Sequence, residues 1–341
     1  MSIRILTVLA VVLPVLAACG FGEPDFARGM AAYEKGDYAT ALKDFEPLAK
    51  KGDARAIFQI STMMAEGKGM KANQAQAAKL RYNAAEKGHR EAQYSLAKMF
   101  LAGQGVKTDK VLAVHFMRMA AKQNDARAQM ELAEILLKGK GPKRDTAEAA
   151  EWYRKAAEGG NVEATFKMGE LYAEGIGVNW DYVEAAAWYR KAAEKNHLTA
   201  QYNYALLLEK GQGAGRDPAM AAQWYRKAAE RGHAGAQFKV GQAHANGEGV
   251  PKDSVKAVAW FRKAALAGHG GARTELGQHY ASGDGVAKDE VQAFMWYSLA
   301  TIVGDKTAIR KQEELRERMS EEQVSKAQSL TWQRLEAEKI N

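Results

Sequence analysis

Apolar residues along most of this chain recur at helical spacing. In Ala164-Thr165-Phe166-Lys167-Met168-Gly169-Glu170-Leu171-Tyr172, positions i, i+4, i+7 and i+8 are apolar and form one face of a helix. The run ends at Gly175-Ile176-Gly177, and glycine after a helix accepts the left-handed conformation that closes the last turn. Asp181 follows, placed to accept the orphan N–H groups of a second helix. That helix carries Ala185, Trp188-Tyr189 and Ala192-Ala193, and it stops at Asn196, a residue that tolerates positive φ. No comparable strand pattern is present. The predicted unit is helix, Gly-x-Gly turn, helix, Gly/Asn turn.

The unit repeats with a constant step of 36 residues. Alanine recurs at 56, 92, 128, 164, 200, 236, 272 and 308, and again at 41, 77, 113, 149, 185, 221, 257 and 293. The glycine pair at 67/69 returns at 103/105, 139/141, 175/177, 211/213, 247/249 and 283/285. Asn73, Asp109, Asp145, Asp217, Asp253 and Asp289 share the capping column of Asp181. The second turn is Gly or Asn in every unit, from Gly52 to Gly304. An aromatic column runs Phe116, Trp152, Trp188, Trp224, Trp260 and Trp296, and its phase beside alanine predicts a core role. One such unit cannot bury its own apolar faces, so stacking against the next unit is required.

Composition agrees with an ordered, largely helical protein: 47% apolar, 26% charged, 32 glycines and 6 prolines. A single cysteine excludes a disulfide scaffold or a cysteine-based zinc module. The net charge of +8 is mild for 341 residues and does not demand nucleic acid.

The N-terminus reads as an address. Arg4 precedes an apolar run from Ile5 to Ala18. Such a run spans about 21 Å as a helix, short of a hydrocarbon layer of about 30 Å, so a cleaved signal peptide fits better than a resident span. Leu16-Ala17-Ala18-Cys19-Gly20 resembles the lipobox of bacterial lipoproteins. That resemblance implies a signal peptide over 1–18, cleavage before Cys19 and acylation of Cys19 as a membrane anchor. An ordinary secretory signal is the competing reading. Gly20 in place of Asp implies, by analogy, the outer membrane facing the periplasm. The tether 19–25 is short, which keeps the folded body close to the lipid.

Ala-x-x-Trp-Tyr-Arg-Lys-Ala-Ala-Glu-x-Gly/Asn, followed by Ala-x-x-x-Leu-Gly-x-x-Tyr-x-x-Gly-x-Gly-Val, resembles the Sel1-like repeat, a relative of the tetratricopeptide repeat. Residues 149–178 and 257–286 are good copies. The resemblance implies an all-α fold, a right-handed α-solenoid of stacked helix pairs. On this reading 52–304 holds seven repeats. Residues 26–51 form an N-terminal helix pair turning at Lys35-Gly36-Asp37, and 305–341 form a C-terminal capping pair. Ser320 with Gln323 makes a capping-box start for the last helix.

Candidate chemistry is sparse. The Gly-x-Gly elements join helices in every unit, unlike phosphate loops, which follow a strand. His89, His197, His233 and His269 share a column with Asp53, Asp125, Asn161 and Asp305 directly before a helix, so capping is their expected role. A helix pair separates successive members, on the order of 15–20 Å, too far to share a zinc. His244 and His279 lie inside first helices and read as packing residues. Arg-Lys pairs at 154/155, 190/191, 226/227 and 262/263 form a basic column, explained mainly as a solvated face whose stems cover apolar surface. No metal, cofactor or catalytic constellation is predicted.

In related repeats the first helix of each pair lines the concave side. Two first-helix columns change chemistry from unit to unit: Thr62, Lys98, Glu134, Glu170, Leu206, Gln242, Gln278, and Gln59, Ser95, Glu131, Lys167, Asn203, Lys239, Glu275. They are the candidate partner-binding groove, against the plainer reading of ordinary solvent-facing residues. The expected function is a non-enzymatic scaffold, lipid-anchored in the bacterial envelope, that holds protein partners of an export, secretion or signalling complex. One rival is a lipoprotein that contacts peptidoglycan or acidic polysaccharide through the basic column. Another is a β-lactam-binding or hydrolysing enzyme, known for disulfide-stapled relatives and poorly matched by a chain whose one cysteine is Cys19.

Overall fold

The structure is a computed structural model that describes residues 24–340; the leader and Cys19 lie outside the described residues. Every regular element among the described residues is a helix. They fall into two compact units divided between Gln123 and Asn124, inside the array where the sequence period runs on unbroken. The first unit holds α1 (Phe26–Glu34), α2 (Tyr38–Lys50), α3 (Ala54–Glu66), α4 (Gln74–Glu86), α5 (Arg90–Ala102) and α6 (Lys110–Lys122). The second opens with α7 (Ala126–Lys138), α8 (Thr146–Glu158), α9 (Val162–Glu174), α10 (Tyr182–Glu194), α11 (Leu198–Lys210) and α12 (Pro218–Glu230). It continues with α13 (Ala234–Asn246), α14 (Ser254–Leu266), α15 (Gly270–Ser282), α16 (Glu290–Ile302), α17 (Lys306–Arg316) and α18 (Glu321–Ile340). Within each unit consecutive helices pack in chain order as far as α17, and α18 packs back on α16. This is the α-solenoid of helix pairs that the repeat implies.

The caps explain why the period is so strict. Asp109, Asp145, Asp181, Asp217, Asp253 and Asp289, with Asn73, each accept a backbone N–H at the start of a second helix. Each first helix from α3 to α15 ends on a left-handed glycine, with φ between 63° and 82°. At the second turn Asn124 and Asn196 take φ of 60° and 63°, as the glycines do elsewhere. Ser320 and Gln323 form the expected capping box, each backbone N–H donating to the other's side chain at 2.9 and 3.2 Å.

Packing within and between helix pairs explains the small residues. Both alanine columns are fully buried wherever they lie in the repeats. A Cβ on Gly169, Gly241 or Gly277 would sit 2.5–2.7 Å from the ring of Tyr189, Phe261 or Tyr297, so these aromatic rings lie directly on helix backbone. The second glycine of most turns is under a sharper constraint. A Cβ on Gly177, Gly213 or Gly249 would come within 2.0, 1.8 or 2.1 Å of the carbonyl oxygen of Thr146, Tyr182 or Pro218, the first residue of the preceding second helix.

A buried amide column adds hydrogen bonds between pairs. Gln93, Gln201 and Gln237 donate through Nε2 to the carbonyls of Ala85, Ala193 and Ala229, in the last turn of the preceding second helix. Arg273 donates in the same place to Ala265. The remaining oxygen of Gln93 accepts from Gln123 at 2.7 Å, and that of Gln201 from Arg231 at 3.5 Å. The equivalent residue in the next repeat is Ala267, and Gln237 Oε1 is buried with no partner.

Two outcomes are expected from these contacts. Gly213→Ala should lower the urea midpoint well beyond Gly211→Ala: both pay left-handed strain of about 1–2 kcal/mol, but only Gly213 meets a backbone carbonyl. Equal losses for the two would show that the close approach relaxes freely. Ala267→Arg should gain about 1 kcal/mol in the same measurement by giving Gln237 its missing donor.

Candidate binding surface

The first helices of the second unit carry most of the predicted groove positions, and the structure gives those side chains neighbours that spacing alone did not supply. Glu134 pairs with Lys138 one turn on. Lys167 lies 2.7 Å from Glu170, joining the two predicted columns on one helix. Burial alone would lower the Lys167 pKa, but Glu170, Glu163 and Glu134 together outweigh it and the ammonium is held above its usual range. Asn203 is half-buried on α11. Lys239 reaches 2.9 Å to Glu209 on the preceding first helix. Glu131 is half-buried and Gln278 exposed. Lys98 is exposed on α5 of the first unit. Gln59 is a correction: it is 9% exposed, so it belongs to the interior at the N-terminal end of its column.

The tyrosines that follow Trp152, Trp188, Trp224 and Trp296 were missed as part of this surface. Tyr153, Tyr189, Tyr225 and Tyr297 bury their rings against the small residues of the first helix, and their hydroxyls lie among the row's carboxylates. Burial, followed by Glu134, Glu163 and Glu170, pushes the Tyr153 phenol up to about 12. Burial and Glu275 do the same to Tyr297. These phenols stay protonated as hydrogen-bond donors at neutral pH, and Tyr225 donates to Glu209. Glu209 replaces Ala or Leu at the equivalent position of every other repeat, a departure visible in the sequence.

The basic column has a definite structural role. Lys155, Lys191, Lys227 and Lys263 lie 3.9–4.4 Å above the rings of Trp152, Trp188, Trp224 and Trp260. Trp152 and Trp296 are core residues as expected, whereas Trp188, Trp224 and Trp260 are half-buried beneath their lysines. Arg154 and Arg262 donate to the hydroxyls of Tyr172 and Tyr280.

The histidine column caps helices. Nδ1 of His89, His197, His233 and His269 accepts the N–H of Ala92, Ala200, Ala236 and Ala272 at 3.1–3.2 Å. Each ring stacks on Phe58, Phe166, Tyr202 or Phe238 of the preceding first helix at 4.4–4.7 Å. His279 is buried and bonds the carbonyl of Asp284, and His244 is half-buried. Among the described residues no group of three or more His, Cys, Asp or Glu could hold a metal ion. No helix among them is long and apolar enough to cross a membrane.

The Sel1 repeat model matches seven consecutive segments: 54–89, 90–125, 126–161, 162–197, 198–233, 234–269 and 271–305. The chain belongs to the Sel1 repeat family. It is similar to c5321, described as a protective antigen present in uropathogenic Escherichia coli strains and displaying an SLR fold. That match has 32% identity over 91% of this chain and 68% of that one, with a TM-score of 0.67. It is also similar to a Sel1 repeat protein from Oxalobacter formigenes, 30% identical over 85% of each chain, with a TM-score of 0.62. No curated protein matches the chain. Sel1 repeats indicate a protein–protein interaction scaffold, a fold that is generally non-catalytic.

The histidine caps make stability pH-dependent. Burial holds His89, His233 and His269 below the ordinary imidazole range, and a protonated Nδ1 can no longer accept the capping N–H. The unfolded chain therefore takes up protons first, so the stabilisation is complete above about pH 6.5 and is lost as pH falls below it. Replacing His233 and His269 by Asn, which already caps at Asn161, should shrink the drop in melting temperature between about pH 7.5 and pH 5. An undiminished drop would assign the pH dependence to other groups.

Proposed function

We propose that this Sel1-repeat protein is a lipid-anchored envelope scaffold that grips a protein partner along the first-helix row of its second unit, within an export, secretion or signalling assembly. The row carries the reading. Its backbone is held to one register by caps and glycines, while its outward chemistry changes from Glu134 to Lys167–Glu170, Asn203, Lys239 and Gln242. A rigid frame with a varying lining suits recognition of one extended surface. The tyrosine hydroxyls add donors fixed by buried rings, which cost little entropy to present.

The anchor rests on Leu16-Ala17-Ala18-Cys19, and Gly20 favours the outer membrane facing the periplasm. Acyl chains on Cys19, followed by a short tether, would hold the N-terminal helix pair near the headgroups. The polysaccharide reading draws less support, because the lysines on which it relies lie over their own tryptophans.

Cross-linking in whole envelopes, followed by capture of the tagged chain, tests the scaffold. Glu134→Lys with Glu170→Lys should cut recovery of the cross-linked partner by about tenfold and leave the melting temperature within about 3 °C. Recovery of the same proteins at the same level would remove the row from partner binding. Cys19→Ser should move the chain from the membrane fraction to the soluble one; retention on the membrane would refute the lipid anchor.

A further inference from the structure

One place in the second unit departs from the repeat in three ways at once. At the tenth position of the first helix the repeats carry Met63, Met99, Ile135, Leu171 and Leu207, all buried, and later the buried His279. In α13 the same position is Ala243, which is half-buried. The missing side chain opens a cavity of about 280 Å³ between α12 and α13, lined by Ala243, Tyr225, Glu209, Lys239, Gln242, Asn246 and Glu248. Glu209 stands where the other repeats have Ala65, Leu101, Leu137, Ala173, Ala245 and Ala281. Glu248 occupies the middle of its Gly-x-Gly turn, where the five preceding repeats have Lys68, Gln104, Lys140, Ile176 and Gln212 and the following one has Asp284. A hole, a carboxylate inside it and a carboxylate at its rim occur together.

The polar groups are arranged for a cation. Lys239 donates to one oxygen of Glu209 at 2.9 Å, and Tyr225 donates to the other. A carboxylate offers about four acceptor positions, so each oxygen keeps one and the two remaining point from one planar group. Burial would raise the Glu209 pKa, but Tyr225 and Lys239 outweigh it and keep the carboxylate ionised. Gln242 and Asn246, whose amides can turn an oxygen to a cation, and the carboxylate of Glu248 also line the cavity. The charges of Glu209, Glu248 and Lys239 sum to one negative, on a chain whose net charge is +8. The apolar wall of Ala221, Ala222 and Ala243 suits an aliphatic stem.

We propose that this cavity is the anchoring pocket for an arginine side chain of the protein partner, its guanidinium forked onto Glu209 and its stem on the alanine wall. A guanidinium is flat, donates five hydrogen bonds in a fixed fork and accepts none, which matches an acceptor-rich slot better than an ammonium does. This assignment rests on the scaffold reading for its biological partner, but the pocket can be tested without one.

The test titrates the purified full chain with the peptide Ac-Gly-Arg-Gly-NH2 and with its citrulline counterpart, which has the same shape and no charge, read by NMR shift changes. The arginine peptide should bind at least about tenfold more tightly than the citrulline peptide, with the shifts centred on Lys239, Gln242 and Asn246. Ala243→Leu restores the side chain that other repeats carry, so it should abolish binding while raising the melting temperature. Glu209→Gln should weaken binding by about tenfold. Equal binding of the two peptides, no binding up to about 10 mM, or binding unchanged by Ala243→Leu would overturn the pocket. A chain that captures its partner but ignores the arginine peptide loses only the pocket. One that binds the peptide but captures nothing loses only the scaffold reading.

Discussion

Backbone touching backbone at the second glycine of five turns, at Gly105, Gly177, Gly213, Gly249 and Gly285, is the constraint on which the rest depends. Gly213 approaches the carbonyl of Tyr182 so closely that no β-carbon fits, and Gly177, Gly249 and Gly285 repeat the contact along the second unit. A turn held that near the start of the preceding second helix leaves little freedom in how one helix pair lies on the next. The alanine columns, the tyrosine rings seated on glycine and the buried glutamines all operate inside the spacing that this contact sets. An inserted residue would have to be absorbed by every one of these features together, which accounts for a period without insertions.

Register of this kind separates frame from lining. Residues that face the neighbouring pair are confined to a few types because backbone atoms or rings lie against them. Residues on the outward side of the first helices meet no such restriction, and there the chain places Glu134, Lys167, Glu170, Asn203 and Lys239 in succession. The second helix also contributes: its tyrosines are fixed at the ring by packing, and Tyr225 donates from its hydroxyl to Glu209. The result is a row of rigidly presented polar groups built from both helices of each pair.

Local failures of the repeat are informative because the frame tolerates so few. Ala267 leaves an amide oxygen without its donor, a small fault in an otherwise satisfied column. Ala243 and Glu209 are larger departures, and they fall at one point in space although 34 residues separate them in the chain. Their meeting follows from the period itself, since residues nearly one repeat apart become neighbours when pairs stack.

The amino-acid sequence by itself determined the helices, their caps, both kinds of turn and the family, because each depends on local rules: which residues accept N–H groups, which tolerate positive φ, and which spacing makes an apolar face. It also assigned the histidine column to capping, for the same local reason. Only the tertiary structure decided which polar groups share a surface. That depends on distances between helices, which periodicity does not contain. The lysines came to rest on tryptophans, the tyrosine hydroxyls emerged beside the carboxylates, Gln59 turned inward, and a missing methionine-sized side chain at Ala243 became a cavity. The division at Gln123 was equally invisible, since the period that defines the repeats runs through it without a break.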